Sequence, residues 1–498
     1  MSFGDVLKRK RQVIPRWHTY PMARWLGVNV SAEAETVQAS PDEDYKEKRD
    51  SWQRNQKLAY AADLVGSALV LNCFDDDKAI QAANYILEHN TKASNLLSDL
   101  AQTYVHLSQK QDFPLPDFVL PEETQNLYRL IGKLKVRTRD YPRNPILWME
   151  LGFYYSAIGQ THAAQYAVNV ALGINKENRY LLRSGARFYM HMDDSDAALY
   201  YIRKSTAVKH DPWLVAAEIA ISDTQDVSSG RIKLARQMLE SGDFHKFHLS
   251  ELASALGTIE LKNGSRKKGR KLLTLALESP TENTLAQVAF LQDSFGGPVA
   301  IVSKDLPAQS FEAQARLKFQ IEDFQGAIDA SKKWFAYQPF SARPALFGSY
   351  VAGVALEDFN ESIKMAKMGL VSSPHDFMLK NNLAFGLASL GKPDEAAHVL
   401  ESVSESGLNE SERSVLTATR ATIAFREGRI DVGRGLYKKA LEEFRKQKQL
   451  RSQVLAMYFR AREEMLIGSP TAKALAAEAL ASAEKQKVNE LLVKSHSR

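Results

Sequence analysis

The chain has 498 residues and is 44% hydrophobic, longer than one ordinary globular core. Its single cysteine, Cys73, excludes an intramolecular disulfide and suits a reducing compartment, so a cytoplasmic location is expected. The formal net charge is +6. No apolar run reaches the roughly 18 residues of a membrane span, and the basic N-terminus has no apolar stretch behind it to make a secretory signal.

Residues 1–41 read as a basic, aromatic arm. Within the first 30 residues, Lys8, Arg9, Lys10, Arg11, Arg16 and Arg24 face only Asp5, a balance of +5. Trp17, His18, Tyr20 and Trp25 are interleaved with them, and Pro15 and Pro21 prevent one continuous helix. Such a segment can grip a phosphate backbone and stack on bases. It can equally dock on a protein partner, or pack back on its own fold.

Residues 42–140 read as a helical N-terminal region, either divergent repeats or a cap. Asp42–Asn72 is one long amphipathic candidate. Asp75, Asp76 and Asp77 start the next helix, to about His89, as an N-cap with first-turn acids. They are not a calcium loop, which needs a glycine turn and a distal glutamate. A third helix spans Ala93–Ser108, and Phe113–Pro121 is a proline-punctuated linker.

Residues 141–297 form a first repeat block. In Pro145–Asn178, Trp148, Leu151, Gly152 and Tyr155 stand in the spacing W-x2-L-G-x2-Y, Gly159 marks a turn, and Ala164 and Ala171 follow. This pattern resembles the tetratricopeptide repeat (TPR), a helix–turn–helix unit of about 34 residues. Trp148, Leu151 and Tyr155 share one stripe of a helix, and Trp148 is expected as a buried anchor. Leu182, Gly185, Ala186, Tyr189 and Ala198 repeat the pattern, Trp213–His248 is a degenerate copy, and Leu256, Gly257, Gly264, Gly269 and Ala276 restore it.

Residues 298–307 read as a linker, including the apolar run Pro298–Ser303, and residues 308–498 as a second block. There EDFQGAI at Glu322–Ile328 is echoed by EDFNESI at Glu357–Ile363, 35 residues on, with Pro339 and Pro374 ending the two copies. Leu383, Ala384, Leu387, Gly391 and Ala396 mark a further copy, and Ala421, Gly428, Gly433 and Ala440 another. Helices at roughly 450–467 and 471–487, split by Gly468, close the chain. Eight or nine units are expected in an all-α solenoid, since each unit buries its apolar face only against its neighbours.

The resemblance implies a concave groove that holds a partner protein or peptide. Groove positions in the second repeat are Tyr180, Arg183 and Arg187, and farther on Asn381 and Phe385. Met149 and Phe153 occupy the matching places in the best repeat and cannot clamp a terminal carboxylate. The expected function is a non-catalytic interaction scaffold or adaptor, without cofactor, metal or membrane partner and with a small-molecule ligand disfavoured. The alternative is a nucleic-acid-associated protein using Lys8, Arg9, Lys10, Arg11, Arg16 and Trp17 with a second basic patch of Lys262, Arg266, Lys267, Lys268, Arg270 and Lys271. That patch imitates a phosphate loop but lacks the Lys-Ser/Thr pair and a preceding strand. His245 and His248 are too few for a zinc site, and no catalytic elbow or zincin motif occurs.

Overall fold

A computed structural model describes residues 11–25, 43–71, 73–74, 76–108, 124–295 and 309–492. Lys8, Arg9, Lys10, the 113–121 stretch and the 298–307 linker lie outside the described residues. Every regular element among the described residues is helical, with no strand. No described helix is long and apolar enough to cross a membrane.

The solenoid is built from helix hairpins, and the sequence reason is local. Polar side chains cap the helix starts: Asn144 accepts from the backbone N–H of Ile146 and Leu147, Asn178 from Leu181, and Asp194 from Ala197. Each such cap is worth about 1 kcal/mol. The EDF echo is a turn and a cap together. Glu322 and Glu357 take positive φ, and Asp323 and Asp358 cap the helices Phe324–Tyr337 and Phe359–Ser372. Their last turns precede Pro339 and Pro374, as expected of a residue that cannot continue the hydrogen-bond ladder.

From Pro145 onward the hairpins follow one another. Pro145–Ala157 pairs with Thr161–Ile174, Arg179–His191 with Ser195–Lys204, Pro212–Thr224 with Ile232–Glu240, and Lys246–Lys262 with Arg266–Ala276. Glu282–Phe295 then packs on both Lys246–Lys262 and Phe311–Gln320. The second block pairs Phe311–Gln320 with Phe324–Tyr337, Ala342–Tyr350 with Phe359–Ser372, Phe377–Ser389 with Pro393–Glu401, Glu410–Arg426 with Ile430–Lys446, and Leu450–Leu466 with Ala472–Gln486. The small residues of the repeat pattern let paired helices touch. At the crossing of Gly257 and Gly269, a Cβ on Gly269 would stand 2.7 Å from Leu261 and 3.1 Å from the carbonyl of Gly257.

Two sequence expectations change. Asp42–Asn72 is not one helix: Glu43–Arg54 and Leu58–Leu71 are separated at residues 55–57. The break folds Tyr45 and Trp52 back onto Ala61, Leu64 and Val65 in a small separate core, which a straight helix could not bury. Trp148 is only half-buried, its indole N–H donating to the carbonyl of Pro142 at 2.8 Å. Its neighbours Met149 and Phe153 are buried instead, because the inner face of this helix is covered.

The superhelix comes back on itself. Helix Pro145–Ala157 contacts helix Phe359–Ser372, and the turn at Gly159 lies against the main chain of Val371. The inner face is thereby enclosed. At the other end a π-helical turn, Val351–Leu356, follows Ala342–Tyr350. There Tyr350 donates to the buried carboxylate of Glu490 at 2.6 Å, in the last described helix, Asn489–Leu492.

Gly159 has φ +70°, and a Cβ there would come within 2.7 Å of the Val371 carbonyl oxygen. Gly264 has φ +81° with open space around it. Gly264→Ala is therefore expected to cost only backbone strain, about 1–2 kcal/mol. Gly159→Ala should cost at least about 1 kcal/mol more, because the contact between superhelical turns must also move. Urea unfolding of the two variants checks this, and equal losses would show that the inter-turn contact carries no energy.

Candidate functional site: a groove filled by the chain's own N-terminal segment

The enclosed groove is occupied. Residues 11–19 run through it without regular secondary structure and end in a short helix, Tyr20–Trp25. Trp17 is the anchor. It is fully buried, with its ring centroid 5.4 Å from Phe153, 5.9 Å from Phe188 and 5.2 Å from Phe340. These three phenylalanines come from both repeat blocks, so the indole joins repeats that are distant in sequence. Aromatic pairs at such distances favour tilted and edge-on geometries, each worth about 0.5–1.5 kcal/mol beyond area burial.

Groove side chains also read the main chain of the segment. Tyr180 donates its hydroxyl to the carbonyl of His18 at 3.0 Å. Asn283 donates to the carbonyl of Ile14 at 3.0 Å, and Gln287 to that of Arg11 at 2.9 Å. The backbone N–H of Tyr20 donates to Glu150 at 3.0 Å. Gln12 reaches Asp223 at 3.0 Å and the carbonyl of Ala255 at 3.2 Å. A segment without regular secondary structure does not satisfy its own backbone, so these side chains replace the water it gives up.

Glu312 is the electrostatic centre. Arg11 meets it in a bidentate pair at 2.9 and 3.0 Å, Arg16 reaches the same carboxylate, and Arg316 binds it from one helical turn away at 3.1 Å. Burial pushes the Glu312 carboxyl upward, but the three guanidiniums outweigh it and hold the group well below the usual carboxylate range. Glu282 follows the same logic. Burial raises it, while Arg16 at 3.6 Å and a hydrogen bond with His18 at 3.1 Å bring it below its ordinary value.

The residues expected as groove contacts are placed as follows. Tyr180 lies in the groove, beneath the segment. Arg183 is 2% exposed and is committed to an internal pair, with Glu251 at 2.9 and 3.1 Å and the Trp213 ring 4.4 Å away. It is therefore not open to a partner, and its loss would disturb folding. Arg187 stacks on Phe340 at 5.1 Å. Asn381 is buried and accepts from Thr419 at 2.7 Å. Phe385 is buried against Phe459 at 4.8 Å, with the Arg462 guanidinium 5.6 Å from its ring.

Arg11, Arg16 and Trp17 are inside the protein rather than on a free arm. Lys267, Lys268, Arg270 and Lys271 are exposed on helix Arg266–Ala276, on the side away from buried Gly269, Leu273 and Ala276. Lys262 is not a free cation, since it pairs with Asp223. His248 accepts the indole N–H of Trp213 at 3.0 Å, and His245 caps its helix. Among the described residues no group of three or more His, Cys, Asp or Glu is placed to hold a metal ion. The sequence reading missed Glu312, Glu282, Asn283 and Gln287. The available signal was the unbalanced charge of the arm, which implies acids elsewhere if the arm is buried.

No protein-family model matches the chain, and no curated protein matches it. Among solved structures it is similar to yeast Tom70, at 13% identity and a TM-score of 0.32, over 90% of this chain and 100% of that one. It is also similar to the APC/C hetero-tetramer Cut9–Hcn1, at 14% identity and a TM-score of 0.30, over 92% and 98%. The TPR-like, all-α solenoid architecture of this chain is carried by its own serial hairpins, caps and turns.

Trp17→Ala is expected to cost about 3–5 kcal/mol, the range for truncating a buried aromatic. Trp148→Ala should cost markedly less, and the reverse order in chemical denaturation would contradict the seating of the segment. Glu312→Gln leaves three buried guanidiniums without their shared counter-charge and should cost about 3–5 kcal/mol. The depressed Glu312 pKa adds a pH test. Its contribution is fully present above the unfolded carboxylate value of about 4.3 and is lost as pH falls below it toward the folded value. The acid-side decline in melting temperature should therefore be shallower in Glu312→Gln than in wild type. Parallel profiles would show that the carboxylate is not coupled to folding.

Proposed function

We propose that the chain is a non-catalytic interaction scaffold whose inner groove holds an extended protein segment. The observation that carries this reading is the seating of residues 11–20, held by an aromatic pocket for Trp17 and by side chains that bind carbonyls. Such a groove suits peptide recognition, in which main-chain hydrogen bonds give affinity and side-chain pockets give specificity. The segment is at once part of the fold and an example of what the groove accepts. A reducing compartment such as the cytoplasm suits the lone thiol.

The nucleic-acid reading is weaker. Arg11 and Arg16 are neutralised by Glu312 and Glu282, and Trp17 is enclosed, so neither charge nor ring is free for phosphates or bases. The exposed lysines and arginines of helix Arg266–Ala276 remain, as a solvated surface.

A labelled peptide spanning residues 8–25, added to a chain lacking residues 1–25, tests the proposal. Circular dichroism establishes that the shortened chain is folded. One-to-one saturable binding is expected, and Trp17→Ala in the peptide should abolish most of it. A folded shortened chain that ignores the peptide would contradict the groove reading. Recovery from the native host of nucleic acid alone, with steep salt dependence, would favour the other.

A further inference from the structure

Beside the seated segment the channel keeps an open space of about 940 Å³. This is the size range of small-molecule sites. Arg11 and Arg16 form part of its wall, and Arg187, Arg316 and Arg343 reach it from three different helices. Glu312 serves Arg11, Arg16 and Arg316. Arg187 and Arg343 have no ion pair with a described residue. Among the described residues, Arg187 has only the hydroxyl of Ser341 at 3.5 Å and the face of Phe340.

Burial, then the charges of Arg343 and Arg16, push the Arg187 guanidinium down to about 9, and nearby Glu312 and Asp193 do not offset this. Burial also lowers Arg343, to about 10, with Glu312 opposing and Arg11, Arg16 and Arg316 adding to the fall. Two aspartates line the space as well. Asp376 is engaged as a helix cap, accepting from Leu379 at 2.9 Å, and Asp193 sits in a tight turn with φ +56°.

Independent of charge, the lining holds unused donors. Arg316 and Trp334 are 7% and 3% exposed. Arg316 Nη1 and Trp334 Nε1 are buried without a hydrogen-bond partner among the described residues, and both residues line the space. A buried donor without a partner has lost its water and gained nothing in return. The missing complement is thus an acceptor-rich, negatively charged group. Guanidiniums match phosphate oxygens in planar, bidentate geometry, and a phosphate offers enough acceptors for donors arriving from several helices.

We propose that this cavity binds a small phosphate-bearing anion, with Arg187 and Arg343 as its charge partners and Arg316 and Trp334 as further donors. The seated segment closes one wall of the site, so ligand and segment stabilise each other. The site uses the seated segment as a wall but does not require that the groove bind a separate protein partner.

Calorimetric titration of the full chain with inorganic pyrophosphate, at fixed ionic strength, tests the proposal. Saturable binding at one site is expected, with a rise in melting temperature by mass action. The double variant Arg187→Gln/Arg343→Gln should weaken binding by about tenfold or more. Without pyrophosphate it should melt no lower than wild type, because like-charge crowding is relieved. Lys267→Gln/Lys271→Gln on the outer surface should leave affinity unchanged. The proposal is overturned by absence of saturable binding to wild type, by equal affinity in the inner double variant, or by an equal loss in the outer one. Binding of hexaglutamate but not pyrophosphate, with the same arginine dependence, would overturn it in favour of an acidic peptide.

Discussion

One buried carboxylate organises the interior. Glu312 gathers Arg11 and Arg16 from the N-terminal segment and Arg316 from its own helix, and this fixes where the segment lies along the groove. Ion pairs of this kind are weak evidence for net stability, because taking the charges out of water offsets much of their attraction. Their effect is selective. A segment shifted by one residue would strand a guanidinium and an acid in a low-dielectric interior, at several kcal/mol each. Trp17 supplies the complementary term, a large apolar surface with a shaped aromatic pocket. Charge sets the register and the indole supplies the affinity.

Closure of the superhelix follows from the same arrangement. A solenoid contacts only its sequence neighbours and gains nothing intrinsic from coming round on itself. Here Phe340 of the second block meets Phe153, Trp17 and His191 of other parts of the chain, and Gly159 allows the turn of the first hairpin to approach Val371. The seated segment is the common neighbour of both blocks. It therefore acts as a long-range strut in a fold that otherwise has mainly local contacts.

The repeats were legible in the sequence because they are written in local chemistry. Caps, tight turns and small residues recur at fixed offsets, so Gly264, Gly391, Gly428 and the EDF echo all fall at hairpin turns. Trp148 misled for a related reason. The repeat signature identifies the helix, but which flank is buried depends on what covers the inner face, and here the cover lies more than a hundred residues away in sequence. Met149 and Phe153 read as groove positions and are buried in the core that Trp17 joins, Phe153 against the indole itself. Arg183 looked like a partner contact, yet its counter-charge Glu251 sits 68 residues on, a pairing no spacing rule reveals. The arm itself was visible as a charge imbalance with aromatics. The acids that receive it are scattered among helix positions that read as ordinary surface.

Residues 11–20 are an integral part of the protein interior. Hydrogen–deuterium exchange on the full chain measures it most directly. Slow exchange is expected for the backbone N–H groups from Val13 to Tyr20, comparable to the helix Arg179–His191 that underlies them, and faster exchange throughout this segment in Trp17→Ala. Exchange of residues 13–20 at the rate of a free peptide in the wild-type protein would contradict it.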